Sequence, residues 1–348
     1  MVRRARRLLA AGAILVALVM TTAGPASATL PGPNGRITFM RFDADGQFQV
    51  WVANPDMSTQ VQLTSGPSDA WFPAWSPDGR RIAFASHRTD PDPTDDVEMM
   101  DVFTMRPDGS DVRKVTDSRG FSGTPSWSPD GRWLVFSADR ADYPRGQGIY
   151  IMRSDGSSAP RRITTLPSGS VWQELARFSP DGSRIVFSEY RNVSVPGDDG
   201  ESVDVEQSAL LTVRPDGTHL RRITPWELSA SDGDWSPDGR RIVFGTRPRW
   251  AGGLQEVMIA DADGGHLRNL SRDHPVFGPP LPEDDYRESF NPAWSPDGRL
   301  VVFVHAKWNP TDGFRMGLQT IRPDGSHRGW LSQGEEHQPD WGSARPIR

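Results

Sequence analysis

The stretch Trp75-Ser76-Pro77-Asp78-Gly79-Arg80-Arg81-Ile82 returns letter for letter at Trp235–Ile242. Its head, Trp-Ser-Pro-Asp-Gly, stands again at Trp127–Gly131 and Trp294–Gly298, with the aromatic changed at Phe178–Gly182, and in stripped form at Pro339-Asp340-Trp341-Gly342. Successive aromatic positions lie 52, 51, 57, 59 and 47 residues apart. Periods of this length mark stacked structural units, none of which buries its hydrophobic face alone.

Each copy is followed by the same grammar. An alternating β-rich run comes next, as at Arg81-Ile82-Ala83-Phe84, Trp133-Leu134-Val135-Phe136, Arg184-Ile185-Val186-Phe187 and Arg241-Ile242-Val243-Phe244. A further strand then ends in a second turn, at Met105–Gly109, Met152–Gly156, Val213–Gly217, Ala260–Gly264 and Ile321–Gly325. A short last strand closes on Val115-Thr116, Ile163-Thr164, Ile223-Thr224 or Leu331-Ser332. With the segment leading into the motif as the innermost strand, each unit has four antiparallel strands. The N-terminal unit lacks its innermost strand, and Gln338–Gly342 is an innermost strand without followers. Joining the two predicts an all-β, six-bladed β-propeller over about 33–342, its ring closed by pairing the C-terminal strand with the N-terminal blade.

The repeat resembles the WD40-like PD40 repeat of TolB-type propellers, also found in prolyl oligopeptidase and dipeptidyl-peptidase relatives. Five near-complete motif phrases and five xPDG-type phrases, spread over essentially the whole chain after residue 28, carry the resemblance. It implies the propeller fold and, through TolB, an accessory role in envelope transport. Those relatives add an α/β domain before or after the propeller; the sequence has no room for one between Thr29 and Arg36 or after Gly342, so the expectation is one propeller domain over 29–348.

Residues 1–28 read as a secretory signal peptide: Arg3, Arg4, Arg6 and Arg7 precede the apolar run Leu8–Met20, and Ala26-Ser27-Ala28 fits a cleavage site. The reading places the mature chain outside the cytoplasm, with no membrane span. The chain's formal charge is −6, and removing those four arginines leaves −10 for 29–348. An acidic surface disfavours nucleic acid and anionic membranes. The chain has no cysteine, so a packed core must replace a disulfide framework. A monomer is expected.

The motif aspartate invites a catalytic reading, but Asp78, Asp130, Asp181, Asp238 and Asp297 recur once per blade, whereas an active site occurs once per ring. Pro presets φ, Asp binds backbone amides and Gly accepts positive φ. Asp78-Gly79, Asp130-Gly131, Asp181-Gly182, Asp238-Gly239 and Asp297-Gly298 are therefore expected as turns, with Trp75, Trp127, Trp235, Trp294 and Trp341 filling the layers between blades. Asp43–Gly46 and Asp261–Gly264 open like Ca²⁺ loops but lack the downstream glutamate, so they too read as turns. No G-x-S-x-G or H-E-x-x-H motif occurs.

Strand order puts both kinds of turn on one side of the ring and the insertions on the other, which makes the insertion side the candidate binding face. It carries Trp71, Trp172, Trp226, Trp250, Trp308, Phe121 and Tyr286, with the acidic insertions Asp90–Asp101, Asp198–Glu206 and Glu283–Asp285. The innermost strands begin there near Trp71, Glu174, Asp232, Asn291, His337 and Gln338. A basic residue follows each second strand: Arg41, Arg88, Arg140, Arg191, Arg247 and Lys307. These are read either as interblade ion-pair partners or as a collar for a carboxylate. The principal expectation is a noncatalytic binding or scaffold propeller for a peptide, protein or cell-envelope glycan, needing no cofactor. Its alternative is a propeller enzyme, a metal-dependent polysaccharide lyase or hydrolase, with His87, His305 and His337 holding a channel metal.

Overall fold

The computed structural model describes residues 31–89, 99–117, 120–140, 146–167, 170–196, 201–247, 254–274, 286–311 and 313–343. Residues 1–28, read above as a leader, Trp250, Glu283–Asp285, the start of the Asp198–Glu206 insertion and most of the Asp90–Asp101 insertion lie outside them. Six four-stranded antiparallel sheets follow one another in the chain. Blade 1 pairs His337–Trp341 with Ile37–Phe42, which pairs in turn with Phe48–Ala53 and then Val61–Gln62. The last strand of the chain thus closes the ring on the first. Among the described residues one short 3₁₀ turn, Trp226–Leu228, is the only helical element, and no helix is long and apolar enough to cross a membrane.

The gradient across each blade follows from its neighbours. Second strands lie between two other blades, so both faces are covered; Ile82–Ser86 is buried at all five positions. Outermost strands are only two residues long and mostly basic, as Arg113–Lys114, Arg161–Arg162 and Arg221–Arg222, which protects the exposed edge against pairing with another chain. The closing Thr or Ser of each unit has a definite task. Thr64, Thr116, Thr164, Thr224, Ser271 and Ser332 accept the backbone N–H of Val50, Val102, Ile149, Leu210, Val257 and Leu318 at 2.8–3.1 Å, tying the last strand to the third.

The motif turn is the same device in five blades. In blade 2 the Ser76 hydroxyl donates to Asp78 Oδ1 at 2.7 Å, which also accepts the Arg80 amide at 3.0 Å, while Gly79 takes φ +65°. Asp130, Asp181, Asp238 and Asp297 are held by Ser128, Ser179, Ser236 and Ser295 in the same way. Gly131, Gly182, Gly239 and Gly298 take the same positive φ. The motif aromatics lie between blades. Trp75 packs on Val50 and Val52 of blade 1 as well as Ile82 and Phe84 of its own blade, and Trp294 bridges blades 5 and 6. Indole N–H groups of Trp127, Trp235 and Trp341 donate to the carbonyls of Ala74, Arg177 and Gly35.

One feature the repeat did not announce shapes the channel. Every innermost strand breaks register at a residue of positive φ: Phe72, Thr124, Leu175, Asp232, Asn291 and Gln338. All six are buried. A bulge of this kind re-aims a side chain and bends its strand, which lets six strands converge without collision. Adjacent members meet: Asn291 donates to Asp232 Oδ2 at 3.0 Å, and the Leu175 amide reaches Thr124 Oγ1 at 3.4 Å. Two residues further along lies a second ring position, occupied by Ala74, Ser126, Arg177, Asp234, Ala293 and Asp340. Three of these carry charge. Arg177 Nη1 stands 3.2 Å from Asp234 Oδ1, both side chains at most 1% exposed. Asp234 and Asp340 also accept the amides of Trp294 and Trp75 in the next blade, at 2.8 and 2.7 Å.

Candidate functional site

On the insertion side, between blades 3, 4 and 5, a cavity of about 800 Å³ opens at the channel mouth. Strand Ser170–Phe178 builds its floor by alternation. Gln173 turns away and is pinned, its amide donating to Gln147 Oε1 at 2.9 Å and its side chain bonding Thr164 and Glu189. Its neighbours Trp172 and Glu174 therefore face the cavity. Trp172 stacks on its cross-strand partner Tyr190, ring centroids 4.9 Å apart and planes 19° from parallel. Phe121 of blade 3 adds a third aromatic wall. The hairpin Ile185–Pro196 and Ser202–Val213 arches over this side and brings Glu206 to the rim, opposite Arg247.

Charge inside the cavity is held against solvation. Burial, reinforced by the negative charge of Asp232, pushes the Glu174 carboxyl up to about 8. Burial likewise pushes Asp232 up to about 7, against the opposing pull of Arg177 and the Asn291 hydrogen bond. Tyr190 is raised well above its ordinary range by burial and by those carboxyls, so it stays a neutral phenol. Burial also raises Glu206, and the Arg247 guanidinium offsets part of that. The site can thus take up a ligand's charge by giving up protons near neutral pH.

The structure brings Trp172, Glu174 and Arg247 to one cavity, with Asp232 directly behind its wall residue Ser231. It separates the other candidates. Trp71, Glu174 and His337 fall one residue before the bulge, whereas Asp232, Asn291 and Gln338 are the bulge residues themselves, so the six do not share one register. Trp71 sits edge-on to His87 at 4.8 Å beside the apolar cluster of Met40, Phe72, Ala85 and Met100. The channel mouth is consequently apolar toward blades 1 and 2 and acidic toward blades 4 and 5.

The basic residues do not form a uniform collar. Arg41 pairs with Glu336 at 2.5 Å, from the connection leading into the closing strand. Arg88, rather than pairing with another blade, lies over Phe84 and Phe103 of its own. Arg191 bonds Gln207 at 2.8 Å and stacks over Trp226 at 4.1 Å. The side chain of Arg140 lies outside what the structure describes. Nor do the three histidines converge. His87 stands 3.7 Å from Asp69, His337 packs edge-on to Phe48, and His305 Nδ1 accepts from Arg328 at 2.9 Å. Burial pushes His305 and His337 down to about 4. Among the described residues no three His, Cys, Asp or Glu side chains are grouped to hold a metal.

A buried knot joins Ser289, Asp273, His305 and Arg328 between blades 5 and 6. Its composition suggests a nucleophile, and Ser289 Oγ lies 3.0 Å from His305 Nδ1, but that nitrogen accepts from Arg328 at 2.9 Å while the Ser289 hydroxyl donates to Asp273 at 2.5 Å. A serine nucleophile needs its proton directed at the base.

Sequence reasoning missed Tyr190 and Arg177. Arg177 left a signal, since it breaks the small-residue or acidic pattern immediately before the motif aromatic. Tyr190 left none, because its place in the wall depends on the register between two strands.

A ring of repeated blades with a side-specific cavity defines the class as a six-bladed β-propeller built from WSPDG repeats. Residues 36–214, half of the chain, match the PD40 TolB beta propeller domain, and the chain belongs to that family. TolB from Acinetobacter baumannii is similar in structure, with a TM-score of 0.62 at 23% identity over 88% of this chain and 66% of its own. An oligogalacturonate lyase in complex with manganese gives 0.54 at 14%, over 87% of this chain and 74% of its own. Both likenesses show the fold alone. An uncharacterised Agrobacterium fabrum protein, Atu1656, is 36% identical over 207 residues, which are 57% of this chain and 62% of that protein. The chain therefore spans less than two thirds of that relative.

Proposed function

We propose that this protein is an exported, noncatalytic binding propeller that holds a peptide, protein or cell-envelope glycan at the insertion-side mouth of its channel. The observation that carries the reading is the 800 Å³ cavity, where a stacked Trp172–Tyr190 wall stands beside the half-buried acid Glu174. Concave sites with aromatic walls and a few convergent polar groups are the ordinary form of a ligand pocket. The leader-like residues 1–28 support export, and the TolB likeness supports a role in the envelope.

The test is a titration of defined ligands, trilysine, a cell-wall tetrapeptide and chitotriose, followed by tryptophan fluorescence in wild type and Trp172→Ala. At least one should bind wild type and lose ten-fold or more in the variant, with the variant's Tm within about 3 °C, as expected for a substitution at a partly exposed wall. A ligand that binds both proteins equally would move the site elsewhere.

A further inference from the structure

The cavity's chemistry narrows what it holds. Three aromatic rings, Phe121, Trp172 and Tyr190, surround a carboxyl, and the negative faces of such rings attract cations. A neutral sugar can use the rings and donate hydroxyls to the acids, but only a cation also gains from their negative charge. One buried acceptor behind the cavity wall also lacks a partner: Asp232, 2% exposed, has its Oδ1 without a hydrogen-bond partner among the described residues. The Tyr190 hydroxyl, also buried, stands within reach of Glu174 and Ser231, so the wall is rich in acceptor oxygens that a ligand's donors can meet.

Resting on the binding function above, we infer that the cavity recognises a protonated amine, its ammonium group lodged against Glu174 beside the stacked Trp172–Tyr190 pair and across from Phe121. An ammonium supplies three donors, enough for the Glu174 carboxylate and the Tyr190 oxygen together. Its positive charge also relieves the opposition between Glu174 and Asp232. Arg247 faces Glu206 at the rim and Arg177 faces Asp232 from the channel. The amine thus enters a site whose acids outnumber the arginines nearest to them. Because Glu174 titrates near 8, an arriving cation displaces its proton. Binding at pH 7.5 should therefore release protons, by linkage between charge and proton binding.

Calorimetric titration at pH 7.5 in phosphate and in HEPES, whose ionisation heats differ and neither of which is a primary amine, tests both parts. The probes are trilysine, fully acetylated trilysine, Nα-acetyl-trilysine, triglycine amide and chitotriose. Trilysine should bind with proton release, the fully acetylated peptide at least ten-fold more weakly, and Glu174→Gln should lose at least ten-fold for trilysine. Nα-acetyl-trilysine presents only side-chain amines and triglycine amide only a terminal one, so whichever retains affinity identifies the source. Equal binding of the fully acetylated peptide, or trilysine affinity unchanged in Glu174→Gln, overturns the inference. If chitotriose alone binds and depends on Trp172, the amine reading falls and the binding cavity stands. If no probe responds to Trp172→Ala, both fall.

Discussion

Arg177 offers the sharpest test of how the ring is held together. Its guanidinium is buried in the channel 3.2 Å from Asp234, with Asp340 and Asp232 as further opposing charges. Arg177→Met keeps most of the volume and removes the charge, leaving three buried carboxylates without their cation. Breaking a buried pair from one side costs about 3–5 kcal/mol. Partial protonation of Asp232, already raised to about 7, reduces the cost at neutral pH, so about 3 kcal/mol is expected there. For a chain of this size that corresponds to a Tm lower by roughly 6 °C. The sign with pH is fixed. Without Arg177, which pulls it down, the folded Asp232 carboxyl rises further above its unfolded value. The destabilisation therefore grows as pH rises through that interval and shrinks toward pH 5. Urea unfolding of both proteins at pH 5, 7 and 8.5 reads it directly. Arg177→Met/Asp234→Asn should recover at least about 1 kcal/mol of the loss, since it removes one orphaned charge. A midpoint unchanged at pH 8.5 would refute the reasoning, because the ring charges would then be solvated and not mutually dependent.

Two further outcomes follow from single positions. Glu174 is raised from an ordinary 4.5 to about 8, so the folded state holds a proton that the unfolded chain has lost, and wild-type stability should fall as pH rises across that window. Glu174→Gln should match wild type near pH 4 and exceed it by about 3 kcal/mol at pH 8.5 in urea unfolding; parallel profiles would contradict the buried-acid assignment. In the turns, Gly46 and Gly264 both have positive φ, but a Cβ at Gly46 meets nothing, whereas one at Gly264 overlaps the Ile223 carbonyl of the preceding blade. Gly46→Ala should cost about 1 kcal/mol and Gly264→Ala at least about 2 more, and equal unfolding midpoints would show that the blades do not meet there.

Much of the architecture was legible because the repeat states it. Trp75, Trp127, Phe178, Trp235, Trp294 and Trp341 number the blades, and the split of blade 1 between Ile37–Phe42 and His337–Trp341 follows from counting what each end lacks. Sidedness was legible too, because the order of strands in a meander decides which connections share a face. The candidate site was legible only in part. Trp172 and Glu174 line the cavity, but Trp71 and His337, in the register that Glu174 holds in its own blade, turn to apolar and aromatic partners instead. Trp71, Glu174 and His337 all precede a positive-φ bulge, at Phe72, Leu175 and Gln338, so the difference lies in what packs there, His87 at Trp71, Phe42 and Phe48 at His337 and Tyr190 beside Glu174, and no composition signal marks those meetings.

The sequence by itself determined the blade number, the closure, the turn chemistry of every motif aspartate and the face on which the repeat breaks down. These depend on local turn preferences and on periodicity, which act along the chain. Tertiary structure decided which charged and aromatic residues meet. Arg177 finds Asp234 one blade away and is balanced by Asp340 from a more distant one, while Trp172, Tyr190 and Glu174 become a cavity only when a bulged strand and a long hairpin settle in register. Such meetings depend on distances across the ring, and those are fixed only once all six blades have closed around the channel.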